Sequence, residues 1–126
     1  MSETPTGSAV VIDGKAIARA IRERVAADTA RLIREKGVTP CLAVVLVGED
    51  PASRIYVSSK GKAAAEAGIA TRDHRLPAET PQADLLALVR SLNDDPLVHG
   101  ILVQLPLPGP IDSRAVLESV SPDKDV

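Results

Sequence analysis

Aromatic residues are nearly missing: the 126 residues include no phenylalanine, no tryptophan and one tyrosine, Tyr56. Any core must therefore be aliphatic, and Tyr56 is the exception to be explained. The only cysteine, Cys41, excludes an internal disulfide and suits a reducing compartment. It opens the apolar run CLAVVLVG and reads as a buried strand residue rather than a nucleophile. Neither sign of charge dominates, with 15 basic against 17 acidic residues, and no basic stripe is interleaved with aromatics. Nucleic acid is not an expected partner. No stretch reaches the apolar length a bilayer requires, and the opening MSETPTGS has neither a charged n-region nor an apolar h-region. The expected location is the cytoplasm, without membrane contact. His74 and His99 stand far apart with no ligand-like spacing, so no metal site is expected, and each reads as a strand or surface residue. No G-x-G-x-x-G and no phosphate-binding loop occurs anywhere in the chain.

At this length the chain is one domain, able to bury roughly two-thirds of the surface its unfolded form exposes. Residues 1–8 read as a flexible tail and 9–126 as the domain. AVVIDG predicts a short strand ending at Asp13, whose carboxylate can cap the helix that follows. Ile17, Ile21, Val25 and Leu32 recur at helical spacing, and Gly37 stops a helix over 14–36. CLAVVLV, 41–47, has the unbroken apolar pattern of a strand covered on both faces. Asp50 as cap and Pro51 at the first helical position predict a helix from 51 to Ala67, ended by Gly68, with Gly61 inside it as a mild cost.

A weaker strand follows over 69–77, and Thr80 with Pro81 opens a helix carrying Leu85, Leu88, Val89 and Leu92. Asp94, Asp95 and Pro96 break that helix, and these acids, like those of PDKD at 122–125, read as turn and capping groups. VHGILVQL, 98–105, predicts a second buried strand. LPLPGP then forces a loop, and a last helix is expected near 112–120. Strand and helix alternate throughout, which predicts an α/β fold: a three-layer domain around a mostly parallel sheet. In such sheets ligands gather at the carboxyl ends of strands, which singles out the GEDPAS and QLPLPGP loops.

Residues three and four apart share a helix face, so Ser53, Tyr56 and Lys60 form a polar stripe, with Ala52, Ile55 and Ala63 beside it. If VHGILVQL is a neighbouring strand, Gln104 at its end approaches this stripe, and the two loops share one cleft. The chemistry available is acid and base work on a planar nitrogenous or carbonyl substrate. A lysine serves there when burial draws its pKa from about 10.4 toward neutrality. Glutamine orients such an amine without adding charge, and tyrosine offers a ring face and a hydroxyl. A tyrosine four residues before a lysine also marks short-chain dehydrogenases, but their glycine-rich dinucleotide loop is missing here.

VIDGKAIA, LAVVLVGEDPASRIYVSSKGKAAAEAGI, HGILVQLPLP and SPDKDV, in this order, closely resemble the amino-terminal catalytic domain of bifunctional methylenetetrahydrofolate dehydrogenase/methenyltetrahydrofolate cyclohydrolase. The likeness runs from Val10 to Val126. It implies an enzyme of one-carbon metabolism that oxidises 5,10-methylenetetrahydrofolate with NADP and hydrolyses the methenyl product to 10-formyltetrahydrofolate. By resemblance, Lys60 is the acid/base of hydrolysis, Tyr56 packs on the folate, Gln104 holds the lysine, and Ser53 lies close by. Residues Tyr56, Val57, Ser58, Ser59 and Lys60, with Val103, Gln104 and Leu105, match the segments that line the folate. The resemblance also implies a homodimer and a role in purine, methionine and histidine biosynthesis.

Family chains are longer, with a Rossmann domain that binds NADP, and this chain is expected to lack it. In the family an aspartate at the position after Val126 grips the pterin, and Asp125 does not inherit that role. The 126 residues alone are therefore expected to have no dehydrogenase activity and little hydrolase activity. Alternatives are a stand-alone folate-binding or regulatory module, and a structural half completed by a partner chain.

Overall fold

A computed structural model describes residues 13–126. The expected tail at 1–8 and most of the AVVIDG strand lie outside these residues. Helix α1 spans Gly14–Lys36. It starts because the Asp13 carboxylate accepts the amides of Lys15 and Ala16, at 3.1 Å each. It stops at Gly37, whose φ of 66° is a left-handed turn that glycine adopts without a steric penalty. The helical spacing of Ile17, Ile21, Val25 and Leu32 is real, but all four side chains are exposed. Only Thr29 of α1 is buried, against Gly68.

Three strands, β1 (Cys41–Val47), β2 (Ala70–Leu76) and β3 (Gly100–Val103), form one parallel sheet in the order β2-β1-β3. Helices α2 (Pro51–Glu66), α3 (Gln82–Asp94) and α4 (Ser113–Ser119) connect and cover it. Ala43, Val45 and Val47 point toward Leu85, Val89 and Leu92 of α3 and Val116 of α4. Val44 and Leu46 point the other way, toward Val57 of α2. The central strand is thus buried on both faces, which is why its sequence is continuously apolar rather than alternating. Burial of a side chain such as Leu85, fully inaccessible, contributes roughly 1.5–3 kcal/mol. The α/β reading holds in three layers, and all three strands are parallel.

Several boundaries move inward. β3 occupies only 100–103 of the expected 98–105: Val98 closes a turn onto the Asp95 carbonyl, and beyond Gln104 the chain meets Pro106, which has no N–H for a ladder. The Gln104 amide still reaches the Val45 carbonyl at 2.9 Å. β2 is likewise 70–76 rather than 69–77, α2 ends one residue before Ala67, and α4 is trimmed by one residue at each end. Cys41 is buried in β1, as expected. Asp95 accepts the Leu97 amide at 2.8 Å, confirming its place as a turn group.

Candidate active site

The site is built where β1 and β3 end and α2 begins. Asp50 accepts the Ser53 amide at 2.9 Å, and Pro51 occupies the first helical position, where a missing N–H costs nothing. This fixes the entry of α2 over the carboxyl edge of the sheet. The helix is rotated relative to the expected stripes. Ser53, Val57 and Ala64 face the sheet, whereas Ile55, expected on the apolar side, is 64% exposed. A serine can occupy the buried face because its hydroxyl is satisfied: Ser53 Oγ donates to the Leu105 carbonyl at 3.2 Å.

That carbonyl is shared. Gln104 Nε2 also donates to it, at 3.0 Å, which leaves Gln104 Oε1 turned toward α2. Lys60 Nζ donates to Oε1 at 2.8 Å. The direction of each bond is dictated by chemistry, since an ammonium only donates and a carbonyl only accepts. Among the described residues no carboxylate pairs with Lys60. The amine therefore rests on a neutral, buried amide, while Lys60 as a residue is exposed. Tyr56 stands one turn earlier on the same stripe, 54% exposed; its sequence neighbour Ile55 is exposed too, as is Leu105, which follows Gln104.

The structure thus brings together Lys60, Gln104, Ser53 and Leu105, and sets Tyr56 at the rim. Ser53 and Val57 are each 1% exposed and Val103 is buried, so these three pack behind the exposed Lys60 and Tyr56 rather than lying at the surface. Ser58 and Ser59 lie on the exposed side of α2. The Leu105 carbonyl is the feature that reading the sequence missed. A main-chain acceptor leaves no mark in side-chain identity.

An open cavity of about 370 Å³, lined by Leu46, Gly48, Glu49, Arg54 and Arg75 among others, lies at the ends of β1 and β2. Arg54 is two residues from Tyr56 and so on the opposite flank of α2, away from Lys60. Among the described residues no group of histidines, cysteines and acids is placed to hold a metal. A dinucleotide does not fit the start of α2 either. There the Asp50 carboxylate already holds an amide that a phosphate would need, Pro51 has none to offer, and Glu49 adds negative charge.

A sequence model of the family described as tetrahydrofolate dehydrogenase/cyclohydrolase, catalytic domain, matches residues 12–126. The bifunctional protein FolD of Rhodopseudomonas palustris (strain BisA53) is 60% identical over 119 residues, covering 94% of this chain and 40% of that protein. Among solved structures, the bifunctional FolD dehydrogenase/cyclohydrolase of Campylobacter jejuni superposes with a TM-score of 0.86 at 47% identity, over 90% of this chain and 40% of that one. The Trypanosoma brucei enzyme, solved with NADP cofactor and an inhibitor, gives 0.85 at 42% identity, over 92% and 39%. The chain spans about 40% of the length of such relatives.

Proposed function

Because the chain belongs to the tetrahydrofolate dehydrogenase/cyclohydrolase family, we propose that it forms the folate-binding wall of an enzyme with both activities. One activity oxidises 5,10-methylenetetrahydrofolate with NADP. The other hydrolyses 5,10-methenyltetrahydrofolate to 10-formyltetrahydrofolate. The observation that carries this reading is the 2.8 Å bond between Lys60 and Gln104 at the carboxyl edge of a parallel sheet. In hydrolysis, water oxygen bonds to the bridging carbon of the methenyl cation while one of its two protons passes to the neutral amine form of Lys60 Nζ; the bond from that carbon to one folate nitrogen then breaks as the other proton moves to that nitrogen, and Lys60 releases its proton to solvent. Gln104 orients the amine for that transfer without a charge that would lock its proton. Tyr56 offers its ring to the folate.

The chemistry of these residues does not extend to the cofactor. NADP is held, on this reading, by the part of the relatives' length that this chain does not span. By the same likeness the working protein is a cytoplasmic homodimer in one-carbon metabolism; no described helix is long and apolar enough to cross a membrane. Exposure of Lys60 favours a second reading for the 126 residues alone. With one wall only, the amine stays in water, and the chain binds folate without turning it over.

The test is the loss of methenyltetrahydrofolate absorbance in a polypeptide of the relatives' full length, with lysine or methionine at position 60. Lys60→Met should abolish hydrolysis. Unchanged hydrolysis would sink the assignment. For the chain by itself, a tetrahydrofolate analogue should raise the melting temperature, and Lys60→Ala should remove that rise without unfolding the protein.

A further inference from the structure

Strand β3 is four residues long, and it is paired on both sides because residues 124 and 125 lie along the edge opposite β1. The Ile101 amide donates to the Lys124 carbonyl at 2.7 Å, and Ile101 stands in parallel register with Asp125. Val126 fits against Gly100, where a Cβ would come within 3.2 Å of its Cγ1. One bridge of backbone pairing is too little to hold such a segment. Its anchors are side-chain contacts to the end of α3.

Lys124 Nζ donates to the Leu92 carbonyl at 3.1 Å and to the Asp95 carbonyl at 2.7 Å. Helix α3 has no basic residue in its last turn and closes on Asp94 and Asp95. Its terminal carbonyls carry the negative end of the helix dipole, and they receive their cation from the far end of the chain. The Asp95 carboxylate is engaged elsewhere, by Arg72 at 2.8 Å and the Leu97 amide at 2.8 Å. Asn93 adds a second clamp, donating to the Ser119 carbonyl and accepting the Ser121 amide, each at 2.8 Å.

From Asp125 the chain runs parallel to β3 and therefore toward the carboxyl edge where Gln104 stands, three residues past Ile101. We infer that Lys124 is a positioning residue for the cleft: its ammonium, seated on the last carbonyls of α3, holds residues 124–126 as the outer neighbour of β3. That neighbour pairs with the start of β3, at Gly100 and Ile101, and through the strand steadies its far end, which presents Gln104 to Lys60. Released, it leaves a four-residue edge strand held by β1 alone, and the amide swings over a wider range. The functional side of this inference rests on the folate reading above, since Lys124 itself touches no reacting group.

The experiment compares wild type, Lys124→Met, Lys124→Arg and Val116→Ala in the 126-residue chain. Two readouts need no ligand: the ammonium nitrogen resonance of Lys60, assigned with Lys60→Arg, and hydrogen exchange of the Gln104 amide. A third is binding of 5-formyltetrahydrofolate. Lys124→Met should speed Gln104 exchange about tenfold, move the Lys60 resonance toward its position in Gln104→Ala, and weaken binding about tenfold. Lys124→Arg should restore all three, because a guanidinium can also donate to two carbonyls. Val116→Ala, a core cavity beneath α4, should lower stability with the Lys60 resonance unmoved. The inference is overturned if Lys124→Met leaves the Lys60 resonance and Gln104 exchange at wild-type values, or if Val116→Ala shifts them equally. Should wild type fail to bind 5-formyltetrahydrofolate, the folate reading fails, and the two ligand-free readouts still decide the role of Lys124.

Discussion

Gln104 accepts a hydrogen bond from Lys60 at 2.8 Å across 44 positions of sequence, and its own NH₂ is spent on the Leu105 carbonyl one residue away. The amide therefore has one orientation in which every group is satisfied.

Gln104→Leu keeps the volume and deletes the acceptor. In a polypeptide of the relatives' full length, hydrolysis of methenyltetrahydrofolate should fall about 10²-fold, within the range general acid–base catalysis supplies. Gln104→Glu should also be slow, and its rate should recover at higher pH, because an adjacent carboxylate favours the charged lysine. A pH–rate profile for Gln104→Glu that overlays wild type would contradict this account of Lys60.

Ser53→Ala removes one of two donors to the Leu105 carbonyl. The other donor remains, so the loss should be modest, about 1 kcal/mol in urea denaturation with an unchanged slope. Ser53→Val crowds the 1%-exposed site and should cost more, about 1–3 kcal/mol. Equal stability of all three proteins would show that this hydroxyl holds nothing.

Two glycines of the same region should respond with opposite sign. A Cβ on Gly61, inside α2, meets no atom within 4 Å, so Gly61→Ala should stabilise by about 1 kcal/mol. Gly68 has φ of 82°, and its Cβ would come within 3.3 Å of Thr29 Cγ2. Gly68→Ala should destabilise by at least about 1–2 kcal/mol. Thermal melts of the pair decide both.

The Leu97 amide, then the Arg72 guanidinium, hold the Asp95 carboxyl below its ordinary value of 3.8. A carboxyl depressed in the folded state stabilises the fold above the unfolded value, and that contribution disappears as pH falls through the lower folded value. Asp95→Asn keeps an acceptor for Leu97 and loses the charge. It should melt earlier than wild type at neutral pH, and the gap should close as pH drops below 3.8. A gap of constant size down to acid would show that the charge is immaterial.

Local chemistry was legible in the sequence. Asp13, Asp50, Gly37 and Gly68 mark helix ends because capping and left-handed turns depend on one or two neighbouring residues, and each stands where its type predicts. The unbroken apolar run of β1 declared a strand covered on both faces, and the alternation of elements declared a parallel α/β sheet. The pairing of Lys60 with Gln104 was legible only conditionally, through the expectation that β3 lies near α2.

Among the described residues, sequence by itself therefore determined the elements, their order, and which residues carry exchangeable protons or polar tips. Tertiary structure alone decided the rotation of α2, which buries Ser53 and Val57 and exposes Ile55, because that angle is set by what the sheet offers beneath the helix. It alone decided that Leu105 contributes a carbonyl and that Lys124 caps a helix some thirty residues away. Backbone acceptors look identical at every position of a sequence, and only packing determines which of them a distant side chain can reach.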